Sequence, residues 1–110
     1  MPRHDLRRNE RIACLLPATL SWTDPSGSSR YVRGKCRDVF LEGLRIDSTE
    51  SIPARSNVSL RVEKVDVAGS ASVRYVRRSG AGFVIGVELT GKIRQQLLDA
   101  LRESPSGSGS

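Results

Sequence analysis

The chain has 110 residues and a mass of 12.0 kDa, which is room for one domain. Its hydrophobic content of 37% is that of a folded globular protein, and no apolar run approaches the ~18 residues that a membrane-spanning helix needs. The first residues, MPRHDLRRNERIA, lack the apolar stretch of a signal peptide. The sequence therefore predicts a cytoplasmic protein, without membrane insertion.

The charge of the chain is strongly basic. Eighteen Lys and Arg residues against 12 Asp and Glu residues give a net charge of +6 at pH 7. This charge attracts phosphate groups of any source, whether nucleic acid, nucleotide or anionic lipid. Most of the cations are arginines, which pair bidentately with phosphate and stack on bases. A genome rich in arginine codons would give the same bias, so charge alone assigns no ligand.

Sequence motifs for catalysis and for metal binding are absent. GxSxG, Walker A and HExxH do not occur. Cys14 and Cys36 lie in apolar, strand-like segments and belong to no CxxC motif, which favours two buried thiols over a disulfide. A zinc site is disfavoured because His4 is the only histidine. The sequence predicts a binding module, not an enzyme, with no metal or other cofactor.

The chain begins with a polar and basic segment. Residues 1–12 have too few apolar positions to pack, so they are predicted to form a flexible arm. From residue 14 to 22 apolar and polar residues alternate, which indicates a first strand. Pro17 places this strand at an edge or next to a bulge, because proline donates no ladder hydrogen bond. DPSGSS at 24–29 then predicts a turn.

Five further strands are predicted from the same alternation. A second strand covers about 30–38, with a cationic face of Arg33, Lys35 and Arg37 that a solvated surface also explains. After a loop-like segment at 51–57 the pattern continues to residue 89. The apolar faces of the later strands are Leu44 and Ile46; Val58, Leu60 and Val62; Ala71, Val73 and Tyr75; and Ile85, Val87 and Leu89. Six short, evenly spaced strands predict a small antiparallel barrel or sandwich.

In the C-terminal part of the chain the spacing of the apolar residues changes. Ile93, Leu97, Leu98 and Leu101 recur at helical spacing, which predicts an amphipathic helix over about 92–103 that covers one mouth or edge of the barrel. SPSGSGS at 104–110 is predicted to be a disordered tail. The domain itself is therefore predicted to cover residues 13–103.

Two clusters could carry binding chemistry. The first, Arg7-Arg8-Asn9-Glu10-Arg11, has guanidinium groups that could close around an anion from two sides; a solvated basic tail would look the same. The second, Asp38-Val39-Phe40-Leu41-Glu42-Gly43, runs from a strand end into a turn. Its carboxylate could accept hydrogen bonds from a guanine edge, and its glycine would let the backbone approach a phosphate. A plain β-turn explains this cluster equally.

Taken together, the two clusters resemble a known family. Arg7-x-x-x-Arg11 followed by LPATL, then Asp38-x-x-x-x-Gly43 with Leu-Arg-Ile, then VRYVRRSGAGFVIGVEL, resembles the PilZ domain family over roughly residues 5–90. The resemblance implies a six-stranded antiparallel barrel with a C-terminal helix. It also implies a bacterial signalling function, because the best-known members bind the second messenger cyclic di-GMP (c-di-GMP) through RxxxR and [D/N]xSxxG motifs.

The resemblance assigns roles to individual residues. Arg7 and Arg11 would grip the phosphates of c-di-GMP and stack on the guanines, with Arg8 as a helper. Asp38 would contact a guanine edge, and Gly43 would shape the turn. Ligand binding would be signalled by a changed interaction with an unknown downstream protein.

Two positions depart from the family pattern. Phe40 stands where the motif has serine, and Glu42 places a negative charge beside Gly43. The lost hydroxyl would cost about 1.5–3 kcal/mol of binding, which a ring stacked on guanine could offset by about 1–3 kcal/mol. Phe40 is therefore a further candidate ligand residue if it faces outward and a core residue if it faces inward. Arg45, next to the motif, is the last candidate.

Two alternative functions stay open. A degenerate PilZ adaptor, acting in motility or type IV pilus systems by protein interaction without c-di-GMP, would fit Phe40 and Glu42. A small basic barrel that binds RNA or DNA would fit the size and charge, although no RNP-like interleaving of aromatic and basic residues occurs.

Overall fold

A computed structural model describes residues 11–103 of the chain. The predicted arm residues 1–10, with Arg7 and Arg8, and the predicted tail 104–110 lie outside the described residues. The strands are β1 (Arg11–Ala13), β2 (Pro17–Thr23), β3 (Ser29–Phe40), β4 (Gly43–Ser48), β5 (Asn57–Val62), β6 (Val67–Ser79) and β7 (Gly82–Leu89). A short 3₁₀ turn covers Glu63–Val65, and helix α1 covers Gly91–Glu103.

The strands form a closed antiparallel barrel. The order of neighbours is β3-β2-β5-β6-β7-β4, and β4 pairs back onto β3 to close the ring. The predicted six-stranded barrel with a C-terminal helix is therefore confirmed. The short β1 is an addition to it: β1 pairs with residues 38–40 of β3, along the same edge of β3 that β2 occupies further on. Arg11 and Ile12, predicted to lie in the arm, thus belong to a strand.

A break separates β1 from β2. Leu15 has a left-handed backbone with φ of 56°, so the strand predicted from residue 14 is interrupted and resumes at Pro17. The chain stays bonded to β3 across the break: Leu15 N–H donates to Cys36 O at 2.9 Å, and Cys36 N–H donates to Leu16 O at 2.7 Å. Pro17 is tolerated because it opens a strand directly after this break.

The core fills the inside of the barrel. Alternate residues of each strand point inward, and the most deeply buried strand side chains are Leu20, Cys36, Val39, Leu44, Ile46, Leu60, Val62, Val73, Ile85 and Val87. The predicted helix is confirmed as α1, whose Leu97 and Leu98 join this core. Ile93 of α1 lies against Gly69 of β6, where any side chain would collide with it. Within residues 11–103, no helix is long and apolar enough to cross a membrane.

The two cysteines are buried free thiols, as predicted. Cys14 N–H donates to Arg37 O, so the two cysteines lie on adjacent segments. Their thiols interact: the hydrogen bond with Cys14, together with burial, raises the pKa of Cys36. A thiol with a raised pKa stays protonated at neutral pH, so Cys36 behaves as a small apolar core residue.

Candidate functional site

Residues from both sequence clusters meet on the outer face of the barrel. In the strand register Arg11 lies opposite Phe40, Phe40 opposite Gly43, and Gly43 opposite Glu88. Directly opposed residues of neighbouring strands share a face of the sheet. The structure therefore places Arg11 and the end of the second cluster in one row across β1, β3, β4 and β7.

A second row runs beside the first. It contains Ala13, Asp38, Arg45, Gly86 and Tyr75, again opposed in register from β1 to β6. The two rows together are called the site wall below. Five of the residues that the sequence singled out lie at neighbouring positions of this wall: Arg11, Asp38, Phe40, Gly43 and Arg45.

A bulge in β3 turns Asp38 toward the site wall. Cys36 is fully buried, and simple alternation would send Asp38 into the core beside it. The register of β3 against β4 shifts between these two residues, however. The bulge exchanges the faces, so Val39 enters the core while Asp38 and Phe40 lie on the outer face.

Asp38 forms a bidentate ion pair with Arg45. Arg45 Nε donates to Asp38 Oδ1 at 2.9 Å, and Nη2 donates to Oδ2 at 2.6 Å. The side chains are only 12% (Asp38) and 20% (Arg45) exposed. The hydrogen bonds to Asp38 raise the pKa of Arg45 above its usual value, with a smaller contribution from Tyr75. Arg45 is therefore charged at any physiological pH, and both oxygens of Asp38 already have a partner.

One aromatic ring of the site wall comes from β6. Tyr75 was predicted to share the inner face with Val73; this is wrong, because the register of β6 against β7 shifts between these two residues. The ring of Tyr75 lies across Gly86, where a side chain would collide with it. The guanidinium of Arg77 stands 4.7 Å from the ring centroid. A glycine within the β7 run FVIGVEL is the sequence signal for this close approach.

Phe40 borders a small cavity on the site wall. Phe40 is half-buried, and it lines a cavity of about 70 Å³ together with Glu42, Arg74 and Tyr75. Glu42 is exposed in the turn between β3 and β4. The core reading of Phe40 is therefore wrong: Phe40 lies opposite Arg11 in register, and its side chain borders this cavity on the outer face.

Gly43 is required by packing rather than by turn geometry. It is the first residue of β4 and does not have a positive φ. A Cβ at this position would overlap the carbonyl group of Val87 on β7. The glycine thus lets β4 approach β7 closely enough to close the barrel, a role that the turn-based interpretation missed.

The site wall offers hydrogen-bond donors, a carboxylate and aromatic rings. Arg11 is exposed at its rim, and Arg7 and Arg8 lie outside the described residues. No group of three or more His, Cys, Asp or Glu side chains within residues 11–103 could hold a metal ion. Together these groups can bind an organic anion. The cations can pair with phosphate, the carboxylate can accept hydrogen bonds from N–H groups, and the rings can stack on a planar group.

The Asp38–Arg45 pair makes a prediction about stability. Replacing Arg45 by alanine leaves a buried carboxylate without its partner, so we expect the free energy of unfolding to fall by about 2–3 kcal/mol. Arg37→Ala is the matched control, since its pair with Asp47 at 3.2 Å is 43% exposed on both sides and should contribute at most about 0.5 kcal/mol. Urea denaturation of both variants measures the difference. Equal losses of unfolding free energy in the two variants would show that the Asp38–Arg45 pair does not stabilise the site wall.

Two solved structures share this fold. The crystal structure of YcgR in complex with c-di-GMP from Escherichia coli aligns with a TM-score of 0.62 at 13% identity, covering 94% of this chain and 49% of that one. The PilZ domain with c-di-GMP of YcgR from Escherichia coli aligns with a TM-score of 0.57 at 15% identity, covering 94% and 98%. This chain spans about half the length of the first structure.

Sequence comparison identifies the family. None of the curated proteins matches this chain in sequence. The model of the PilZ domain family matches residues 5–103, which is nearly the whole chain and includes every strand and helix described above. The chain therefore belongs to the PilZ domain family.

Proposed function

We propose that this protein is a bacterial cytoplasmic receptor for c-di-GMP that signals through a changed protein interaction and catalyses no reaction. The observation that carries the proposal is the register of β1 on β3. It places Arg11 opposite Phe40 and next to Asp38, so one end of the RxxxR motif stands beside the second motif. The two similar structures of YcgR were both solved with c-di-GMP, which supports the same ligand here.

The proposed contacts follow from the chemistry of the site wall. Arg11, with Arg7 and Arg8 from the preceding segment, pairs with the phosphates, because guanidinium groups bind phosphate oxygens bidentately. Asp38 accepts hydrogen bonds from the N1–H and exocyclic amine of a guanine. Each carboxylate oxygen has a second lone pair, so Asp38 can accept from guanine while Arg45 holds it in place.

Arg45 has a double role in this proposal. It positions the Asp38 carboxylate, and its own charge offsets the cost of placing two phosphates near Asp38 and Glu42. A second cation, Arg77, stands over Tyr75 at the far side of the same row. With Arg11 on β1, on the other side of Asp38, the wall presents positive charge on both sides of the carboxylate, as a doubly charged ligand requires.

Phe40 is proposed to compensate for the missing serine of the motif. Phe40 lies on the outer face opposite Arg11 in the strand register, within reach of a guanine that this arginine would hold. Stacking of a base on an aromatic ring contributes about 1–3 kcal/mol, similar to the hydrogen bond that the serine hydroxyl would supply.

A second candidate function is a PilZ adaptor that does not bind c-di-GMP. It is favoured by one observation: both oxygens of Asp38 are already bonded to Arg45, and the carboxylate is nearly buried. If Asp38 in this pair does not bind a guanine, the second motif serves only to stabilise the fold. Glu42 at the mouth of the cavity beside Phe40 adds repulsion against phosphate.

Calorimetric titration distinguishes the two functions. We expect a saturable heat of binding when c-di-GMP is added to the full chain at tens of micromolar. GTP at the same concentrations should give no heat of binding. The absence of heat from c-di-GMP would overturn the receptor proposal and favour the adaptor. Salt-sensitive binding of arbitrary oligonucleotides without a response to c-di-GMP would instead indicate a nucleic-acid-binding barrel.

A further inference from the structure

Two large apolar side chains are strongly exposed among residues 11–103: Leu15, at 64%, and Tyr31, at 66%. They flank the same part of the barrel. Leu15 lies in the break before β2, and Tyr31 lies on β3 opposite Ser21 of β2. An isolated exposed apolar residue is ordinary, but these two stand at opposite ends of one strand pair, outside the two rows of the site wall.

Cations occupy the positions between the two apolar residues. Lys35 lies opposite Pro17, and Arg33 lies opposite Thr19. Both cations are exposed, and among the described residues neither side chain takes part in a hydrogen bond or ion pair. We call Leu15, Pro17, Tyr31, Arg33 and Lys35 the docking strip.

Two acidic residues near the docking strip already have a cation as partner. Asp24, in the turn between β2 and β3, bonds Arg30 at 3.0 Å. Asp47, which faces Lys35 on β4, pairs with Arg37 at 3.2 Å. Arg33 and Lys35 therefore face solvent with a positive charge that the strip itself does not neutralise.

The backbone at Leu15 adds a second sign of function. A leucine with φ of 56° is uncommon, because its Cβ crowds the following carbonyl in the left-handed region. Hydrogen bonds on either side of it, between Leu15 N–H and Cys36 O and between Cys36 N–H and Leu16 O, hold this conformation. Strained backbone and exposed apolar surface both cost folding free energy, and they coincide at one residue.

We propose that the docking strip binds an acidic, amphipathic segment of a partner protein. Leu15 and Tyr31 contact its apolar side chains, and Arg33 and Lys35 pair with its carboxylates. Tyrosine and arginine are enriched in protein interfaces, and a cationic centre selects an acidic partner by complementarity. The strip lies outside the rows that hold the proposed nucleotide contacts, so this inference goes beyond the proposed function and does not depend on it.

The same residues disfavour a nucleic acid as the occupant. Binding of single strands uses successive aromatic faces on which bases stack. Leu15 and Pro17 offer no such face. Of the aromatic residues further round the barrel, Phe83 is covered by the guanidinium of Arg78 at 5.7 Å. Tyr31 alone in the strip presents a ring, which is too little for a stacking row.

NMR titration of the ligand-free full chain tests the proposal. The probe is a short synthetic peptide in which Glu and Asp alternate with Leu and Phe. Two comparison probes are the same peptide with Gln and Asn in place of the acids, and a thymidine oligonucleotide. We expect the acidic peptide to shift the amide signals of Leu15, Tyr31, Arg33 and Lys35, and the two comparison probes to leave them in place.

Charge reversal adds a second test. The double variant Arg33→Glu, Lys35→Glu should bind the acidic peptide at least about tenfold more weakly, while Lys64→Glu, Lys92→Glu, which reverses two exposed cations elsewhere, should bind it as the wild type does. Leu15→Ala, Tyr31→Ala, with both charges intact, should also weaken binding. The proposal is overturned if the peptide shifts signals elsewhere or none, if the neutral peptide binds equally, if the oligonucleotide occupies the strip instead, or if both charge reversals act alike.

Discussion

Arg11→Ala is expected to weaken c-di-GMP binding by roughly 10- to 100-fold. A charge-assisted hydrogen bond to a phosphate contributes about 1.5–3 kcal/mol, and every 1.4 kcal/mol is about tenfold in affinity. Because Arg11 is exposed at the rim of the site wall, the stability of the barrel should hardly change. Calorimetric titration gives the affinity, and thermal unfolding gives the stability.

A matched control separates the specific contact from the general charge of the protein. Arg61 is also exposed and lies on β5, opposite Thr19 of β2. Arg61→Ala removes the same charge away from the site wall and should leave the affinity within about twofold, because exposed charges beyond about 10 Å are largely screened at physiological salt. If the two variants lose affinity equally, Arg11 acts only through net charge.

Gly43→Ala is expected to destabilise the fold by about 3 kcal/mol or more, at or above the upper end of the usual range for overpacking. The added methyl group would overlap the Val87 carbonyl, and backbone on both sides leaves no flexible side chain to move. For a domain of this size we expect the melting temperature to fall by about 10–20 °C, measured by circular dichroism.

Gly91→Ala is the control for this substitution. Gly91 opens α1, has no positive φ, and a Cβ there would meet no atom within 4 Å. We expect this variant to be as stable as the wild type or slightly more stable. A Gly43→Ala protein that melts with the wild type would show that β4 and β7 are not held as closely as described. It would also leave Gly43 without a packing role, so that contact with the ligand would be its only proposed function.

Much of the fold could be predicted because the inner faces of the strands follow strict alternation. The prediction holds for Leu44 and Ile46 on β4, for Val58, Leu60 and Val62 on β5, and for Ile85, Val87 and Leu89 on β7, all of which are buried. The helical spacing of the apolar residues in α1 was equally clear, since Leu97 and Leu98 are buried in the core as expected.

What the sequence could not predict are the places where the register slips. A bulge inserts one residue and exchanges the two faces of a strand, and no residue type marks it reliably. The bulge after Cys36 turns Asp38 outward, and the bulge before Tyr75 does the same for that ring. Both therefore reach the site wall through an irregularity that alternation cannot reveal.

The partner of Asp38 was also beyond the sequence. Arg45 lies seven residues from Asp38, and only the hairpin of β3 and β4, with its bulge, brings the two into register. The same pairing explains why Asp38 tolerates near-burial. It also defines the question on which the function depends: whether a carboxylate that already holds an arginine accepts a guanine as well.

The most direct test of the receptor proposal is an NMR titration of the labelled full chain with c-di-GMP. The proposal predicts saturable changes in the amide signals of Arg11, of residues 38–43 and of Arg45, with the signals of Ser59 and Ser70 on the β5–β6 face unchanged. Changes confined to that other face, or spectra that stay the same at saturating ligand, would contradict it.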